Sequence, residues 1–324
     1  MRAIVCAAWG GPETLQHREI ADPVAREGEV VIKIHAAGVN FPDVLIIQKK
    51  YQVQPTLPFT PGAEVAGEIE AVGEGVTDFK IGDRVLALCS TGGFAEKIAL
   101  NAHLCVPIPD HVPYDVAAGF ILAFGTSHHA LIDRGGVKQG DTVLVLGAAG
   151  GVGLAAVEIA KARGANVIAA ASNDAKLVIC RDRGADATIN YSTEDLRAAI
   201  KTHTEGRGPD IIFDPVGGRF AEPAFRSIAW RGRYLVIGFA DGEIPSLPLN
   251  LPLLKGASLV GVFWGDFARR EPKNQIAMMQ DLFAMLQNGQ IRPLISKAYP
   301  LADTAQALQD MADRKVTGKI VVVP

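Results

Sequence analysis

One stretch constrains this chain more than any other. Thr142-Val-Leu-Val-Leu146 is an unbroken apolar run, Gly147-Ala-Ala-Gly150-Gly-Val-Gly153 is a glycine-rich turn, and Leu154–Arg163 continues with helical character. A buried strand that enters glycines and leaves as a helix is the setting of a dinucleotide phosphate turn. The N–H groups at a helix start have no internal partner, and glycine lets the backbone approach a pyrophosphate. In this reading Gly150 makes the close approach, Gly153 lets helix and strand pack tightly, and Ala149, Gly151 and Val152 complete the turn. A lone glycine turn also serves plain packing. The second apolar strand at Asn166–Ala170 favours the phosphate reading.

The residues around the turn keep alternating. Strands at Ala187–Asn190, Asp210–Asp214, Arg233–Gly238 and Ser258–Phe263 are interleaved with helices at Asp174–Arg183, from Thr193, and near Phe220–Ala229. That alternation predicts βαβ units and a doubly wound parallel sheet. Residues 1 to about 120 instead carry short β-branched runs (Val30–Ile34, Val65–Ala71, Arg84–Leu88), turn glycines and many prolines, with one apolar helical stretch at Pro113–Asp133. The end of the chain holds helices at Lys273–Asn288 and Asp303–Asp313 and a strand, Lys319–Val323. A lone strand needs a partner, so it is expected to pair with the first segment. The fold class is α/β: a β-rich domain at 1–122 and 263–324, interrupted by an α/β domain at 123–262.

Charge and cysteine content narrow the function classes. The 32 Lys+Arg against 35 Asp+Glu give a net charge of −3, with no bulk positive field for nucleic acid or an anionic membrane. Cys6, Cys89, Cys105 and Cys180 are far apart and lack metal-type spacing, which reads as reduced thiols. The apolar run Val143–Val157 stops at Glu158, short of the ~20 residues a span requires. The expectation is a cytoplasmic protein without membrane or nucleic-acid partners.

The cofactor is legible about 20 residues beyond the turn, where NAD sites place an acid for the ribose 2′-hydroxyl. Here Ala171 is followed by Ser172, Asn173, Asp174, Ala175 and Lys176. Absence of the acid removes repulsion of a 2′-phosphate, Ser172 and Asn173 offer donors, and Lys176 offers a cation, so NADP(H) is expected. Lys176 alone also reads as a solvated helix residue. Asp174, the opposing charge, reads as a helix N-cap.

The segments Gly38-Val-Asn40-Phe-Pro-Asp43, Pro61-Gly-Ala-Glu64-Val-Ala-Gly67, Gly82-Asp-Arg-Val85, Gly147–Gly153, Asp214-Pro-Val-Gly-Gly218 and Gly318-Lys-Ile-Val follow one another along the chain. In that order they resemble the medium-chain dehydrogenase/reductases, nearest the zinc-free quinone oxidoreductase (zeta-crystallin-like) branch and its quinone oxidoreductase-like protein 2 group. The resemblance implies a GroES-like β domain, a Rossmann domain and a homodimer. By that resemblance the chain departs from the zinc enzymes, with Asn40 and Ala63 where they carry Cys and His ligands and without their four-cysteine lobe. No metal is therefore expected. Without a Lewis acid, hydride transfer to an electron-poor acceptor is the natural remainder. The resemblance also places Tyr191 near the adenosine 2′-phosphate. It places Thr126, Val216, Gly238, Phe239, Ala240, Phe263 and Trp264 along the cofactor, with Ser127 opening toward the same ring.

Hydride chemistry belongs to the cofactor, and the chain supplies orientation, electrostatics and a dry site; the reduction also needs a proton, for which the sequence offers no obvious donor. Asn40 offers a neutral donor to an acceptor carbonyl, or stabilises a turn. Asp43 orients Asn40, relays a proton, or caps a helix beginning at Val44. Tyr51 is a phenolic donor or a packed aromatic. His128 and His129 are adjacent on a helix and point apart, which favours structural roles. Arg269-Arg270 and Lys49-Lys50 read as solvated charge, or as contacts for acyl-CoA phosphates. The expected activity is NADPH-dependent reduction of quinones or α,β-unsaturated carbonyls. The alternatives are an enoyl-thioester reductase and a non-catalytic NADPH-binding module. The dimer that the resemblance implies would form by edge pairing of the strand at Ser258–Phe263, an apolar strand that equally suits an internal position.

Overall fold

The chain, described over all 324 residues in a computed structural model, divides into Met1–Leu122 with Pro293–Pro324, and Ala123–Arg292. In the first unit, β1 (Arg2–Val5) and β2 (Gln16–Glu19) form an antiparallel pair. The long strand β3 (Glu29–Val39) leads into helix α1 (Phe41–Ile47). Then come β4 (Glu64–Val72), β5 (Arg84–Leu88), β6 (Lys97–Asn101), β7 (Cys105–Pro107) and α2 (Tyr114–Ala118). Helix α3 (Ile121–His128) runs across the division.

The second unit continues with β8 (Thr142–Leu146), α4 (Gly151–Ala162), β9 (Asn166–Ala171), α5 (Asp174–Asp182), β10 (Ala187–Asn190) and α6 (Leu196–His203). It closes with β11 (Ile211–Asp214), α7 (Ala221–Arg226), β12 (Arg233–Val236), α8 (Asn250–Lys255), β13 (Ser258–Gly261), α9 (Trp264–Arg270) and α10 (Pro272–Gln287). The chain then returns to the first unit with β14 (Ile295–Pro300), α11 (Thr304–Ala312) and β15 (Lys319–Val323).

The first unit is built on the order β14-β15-β3-β4-β5-β7, with β6 also on β3. Ile32, Ile69, Val85, Phe94, Ile320 and Val322 fill its core. The terminal strand pairs antiparallel with β3, setting Ile320 opposite Val39 and Val321 opposite Gly38. That register brings the start of β15 beside Asn40.

The six strands of the second unit are all parallel, in the order β10-β9-β8-β11-β12-β13. This is the doubly wound Rossmann order, whose direction reverses between β8 and β11; ligands of such sheets bind at that reversal, outside the strand ends. All five residues of β8 are buried, as expected for a strand covered on both faces.

Three local expectations change. The second boundary falls at 292/293, not 262/263, because α9 and α10 pack within the second unit: Phe267 stacks on His129, and Asp281 accepts from His128 at 2.7 Å. The apolar stretch at Pro113–Asp133 is interrupted near Gly119 and ends in a wide turn, His129–Arg134. The cap of α5 is Asn173, whose side chain accepts from the Lys176 N–H at 2.9 Å; Asp174 is already inside the helix.

Candidate cofactor and acceptor sites

At the reversal point two loops face each other. Gly147 lies in the left-handed region, where a Cβ would come within 2.8 Å of Val216 Cγ2. A Cβ on Gly153 would run into the Gly147 carbonyl, so strand and helix start can approach only without one. Gly150 differs: a Cβ there would meet the Gly147 carbonyl at 3.4 Å, an ordinary contact, so the fold itself does not demand glycine at the start of α4. A glycine turn that packing does not require at Gly150, at the N-terminus of α4, suits a backbone that approaches a phosphate. Ala149 and Val216 are buried, while Gly151 and Val152 form the first turn of α4.

The second loop is organised by Asp214, almost wholly buried at the end of β11. Its Oδ1 accepts from the N–H groups of Val216 at 2.7 Å and Gly217 at 2.8 Å, and its Oδ2 from the Tyr234 hydroxyl. Burial raises the carboxyl and these donors oppose the rise. The Val216 carbonyl accepts from Asp241 N–H at 2.9 Å, and the Pro215 carbonyl from Ala240 N–H at 3.0 Å. The loop after β11 thus holds the Gly238-Phe239-Ala240 segment in place, with Phe239 exposed.

Beyond β9, Ser172 and Lys176 approach one another, and Tyr191 is tied to the same strand end through its backbone, with its ring against Phe220 at 4.5 Å. Lys176 Nζ lies 3.5 Å from Ser172 Oγ, the Tyr191 N–H reaches the Ala171 carbonyl at 3.1 Å, and Ser192 Oγ donates to the Ser172 carbonyl at 2.8 Å. Asn173 spends its side-chain oxygen on the cap. Asp174 accepts from Asn190 Nδ2 at 2.8 Å, and Glu194 from the Asn190 backbone N–H at 2.7 Å.

Other residues along the cofactor reading are mixed. Thr126 is half-buried on α3, and Ser127 donates to the Val152 carbonyl at 2.7 Å. Phe263 is exposed. Trp264 is buried, its indole packed on Gly125 and its N–H bonded to Gln275 at 3.1 Å, which is a packing arrangement. His128 and His129 bind different partners, Asp281 and Asp133, and burial lowers both imidazoles. Arg269 and Arg270, both exposed, pair with half-buried Asp266. Lys49 lies over the Trp9 ring at 5.9 Å.

In the first unit, Asn40 is the N-cap of α1, and its backbone N–H is accepted by Asp43 Oδ2 at 2.8 Å. The helix therefore begins at Phe41, not Val44, and Asp43 closes its first turn. The Asn40 carboxamide turns the other way. Its Nδ2 donates to Glu64 Oε1 at 2.8 Å, and its Oδ1 accepts from Lys319 Nζ. Lys319 Nζ also reaches Glu64 Oε1 at 2.7 Å and the Val39 carbonyl at 3.1 Å. Glu64 Oε2 accepts from the Leu122 N–H at 3.0 Å. Gly38 makes room for the Glu64 carboxylate, which fills the space a Cβ there would need.

All four side chains of this cluster are buried. Desolvation pushes the Asp43 carboxyl up to about 7, and its Oδ1 has no hydrogen-bond partner. Tyr51, half-buried on the following loop, is raised by burial and by the nearby Asp43 charge. Glu64 and Lys319 escaped the sequence reading, although a charged residue inside an apolar strand, as in Lys319-Ile-Val-Val-Val323, was their available signal. No three His, Cys, Asp or Glu side chains converge as a metal-holding group. No helix is long and apolar enough to cross a membrane.

A Rossmann sheet with this glycine turn, carried by one chain with a β-rich unit, defines a nucleotide-dependent dehydrogenase/reductase architecture. Residues 26–110 match the alcohol dehydrogenase GroES-like domain and residues 151–281 the zinc-binding dehydrogenase model. The chain is 36% identical over 324 residues to the quinone oxidoreductase-like protein 2 homolog of Nematostella vectensis, covering 99% of this chain and 88% of that one. It is 33% identical over 326 residues to the quinone oxidoreductase of Homo sapiens, covering 100% and 98%. The crystal structure of Escherichia coli quinone oxidoreductase complexed with NADPH superposes with a TM-score of 0.95 at 28% identity, covering 100% of both chains. The chain belongs to the medium-chain dehydrogenase/reductase family, in its quinone oxidoreductase branch.

Proposed function

We propose that this protein transfers hydride from NADPH to quinones or to alkenes conjugated to a carbonyl. The observation that carries the reading is the set Ser172, Lys176 and Tyr191 beyond β9, with Ala171 where an NAD site has an acid. Gly150, which the packing does not force to be glycine, fits a pyrophosphate held against the N-terminus of the 12-residue α4.

When bound, NADPH supplies the hydride. Gly150–Gly153 hold its phosphates through backbone N–H groups, and Ser172, Lys176 and Tyr191 hold the 2′-phosphate. Val216, Gly238, Phe239 and Ala240, tied together by the Asp214 network and the hydrogen bonds of its loop, would hold the nicotinamide end together with Thr126 and Phe263. Asn40 donates an N–H to the acceptor oxygen, where negative charge grows as the hydride is accepted. Asp43 holds Asn40 through its backbone N–H, and Tyr51 donates the proton that completes the reduction.

The protein works as a cytoplasmic homodimer. Strand β13 ends the Rossmann sheet, and Leu259 on it, with Leu253, Leu254 and Phe263 nearby in sequence, is exposed and apolar. All four cysteines are free, in keeping with a reducing compartment.

NADPH oxidation over 1,4-naphthoquinone, an enal and crotonyl-CoA tests the reading. Turnover of quinone or enal supports it. Turnover of crotonyl-CoA alone replaces it with thioester reduction, and tight NADPH binding without turnover makes the chain a binding module. Light scattering tests the dimer, and a monomer at working concentration would remove that part.

A further inference from the structure

We propose that Lys319 is a positioning residue of the acceptor site, holding the Asn40 carboxamide in a single orientation through the Glu64–Lys319 ion pair. Lys319 Nζ donates to the Asn40 oxygen, and Asn40 Nδ2 donates to Glu64 Oε1 at 2.8 Å. The ammonium and the carboxylate are themselves joined at 2.7 Å. A flipped amide would set its oxygen against a carboxylate and its NH2 against an ammonium, two repulsive contacts in a buried site. The charges therefore choose the amide orientation. With Oδ1 occupied by Lys319 and one N–H by Glu64, Asn40 has one remaining hydrogen, toward the Gly38 carbonyl at 3.4 Å. That long contact is the one a ligand oxygen would replace. The Lys319 cation also draws electron density from the amide, which strengthens its N–H as a donor.

The same cluster sets a charge balance. Two carboxyls, Asp43 and Glu64, share one buried ammonium, with the thiol of Cys89 and the phenol of Tyr51 also near enough to feel Asp43. Glu64 takes the direct ion pair, and Asp43 is left holding a proton near neutral pH. Lys319 lowers Asp43, so its removal raises the pH at which Asp43 ionises.

The inference rests on Asn40 and Asp43 belonging to the acceptor site, and its test separates the two claims. Full-length Lys319→Met and the double variant Lys319→Met with Glu64→Gln are compared with wild type. The double variant restores neutrality without restoring the grip on Asn40. Both are expected to lose about 10- to 100-fold in kcat/KM for 1,4-naphthoquinone, the range of one charged hydrogen bond, with the KM for NADPH unchanged. If the double variant folds and regains wild-type kcat/KM, Lys319 is only a charge partner of Glu64 and the proposal falls. The Asn40 side-chain NH2 resonances, assigned by their loss in Asn40→Asp, give a readout independent of turnover. Slow exchange in wild type and fast exchange in both variants supports the positioning role. Unchanged Asn40 resonances overturn it, even if wild type reduces no quinone and the functional reading has failed.

Discussion

Tyr234 donates its hydroxyl hydrogen to Asp214, the same buried carboxylate that gathers the N–H groups of Val216 and Gly217. Through that one acid, β12 and the loop after β11 are tied at the point where the Rossmann sheet reverses direction. Asp214→Ala strands three buried donors, each costing roughly 1 kcal/mol or more, so a loss of about 3 kcal/mol is expected in denaturant unfolding. NADPH affinity falls with it. Tyr234→Phe removes one of the three bonds and costs proportionally less; an equal loss in both variants would contradict this assignment.

Gly150 and Gly153 belong to one turn and require glycine for different reasons. Gly153→Ala drives a Cβ into the Gly147 carbonyl, and a destabilisation of ~1–3 kcal/mol is expected. Gly150→Ala meets only ordinary contact, so its melting temperature stays near wild type while NADPH affinity drops. Fluorescence titration alongside thermal unfolding separates the two effects. Equal melting and equal binding in both variants would refute the phosphate cradle.

Lys176→Glu places a carboxylate where the 2′-phosphate is proposed to lie. A fall of about 10- to 100-fold in kcat/KM for NADPH is expected, with NADH little affected. A parallel fall with both cofactors would show that Lys176 supports the fold and not the phosphate.

Asp43 gives stability a pH dependence of definite sign. Its carboxyl is pushed up to about 7 in the folded chain, against ~3.9 unfolded. Between those values the folded state holds a proton that the unfolded state has released, so stability falls as pH rises through this window and is flat above it. Asp43→Asn removes this component, and its advantage over wild type grows from about pH 4 to about pH 7 in denaturant unfolding. Identical pH slopes for the two proteins would show that Asp43 ionises freely.

Much of this architecture was legible in residue order. The run Thr142–Leu146, its glycines and the following helix identify the parallel sheet because period and turn chemistry agree locally. Lys319–Val323 announced a strand needing a partner, and it pairs with β3. The second unit boundary was not legible, because α9 and α10 are assigned by contacts from His128, His129 and Arg163 that no local pattern encodes. Asn173 and Asp174 both suit an N-cap, and the choice between them depends on Asp174 finding Asn190. The Glu64–Lys319 pair spans 255 positions, so sequence shows only two charges in apolar strands and not that they meet.

The most direct measurement mixes NADPH-loaded protein with 1,4-naphthoquinone and follows the reduced-nicotinamide absorbance through a single turnover. The account predicts rapid loss of that absorbance, slowed in Asn40→Ala without loss of bound NADPH. Retention of the absorbance with NADPH bound, across quinones and enals alike, would contradict it.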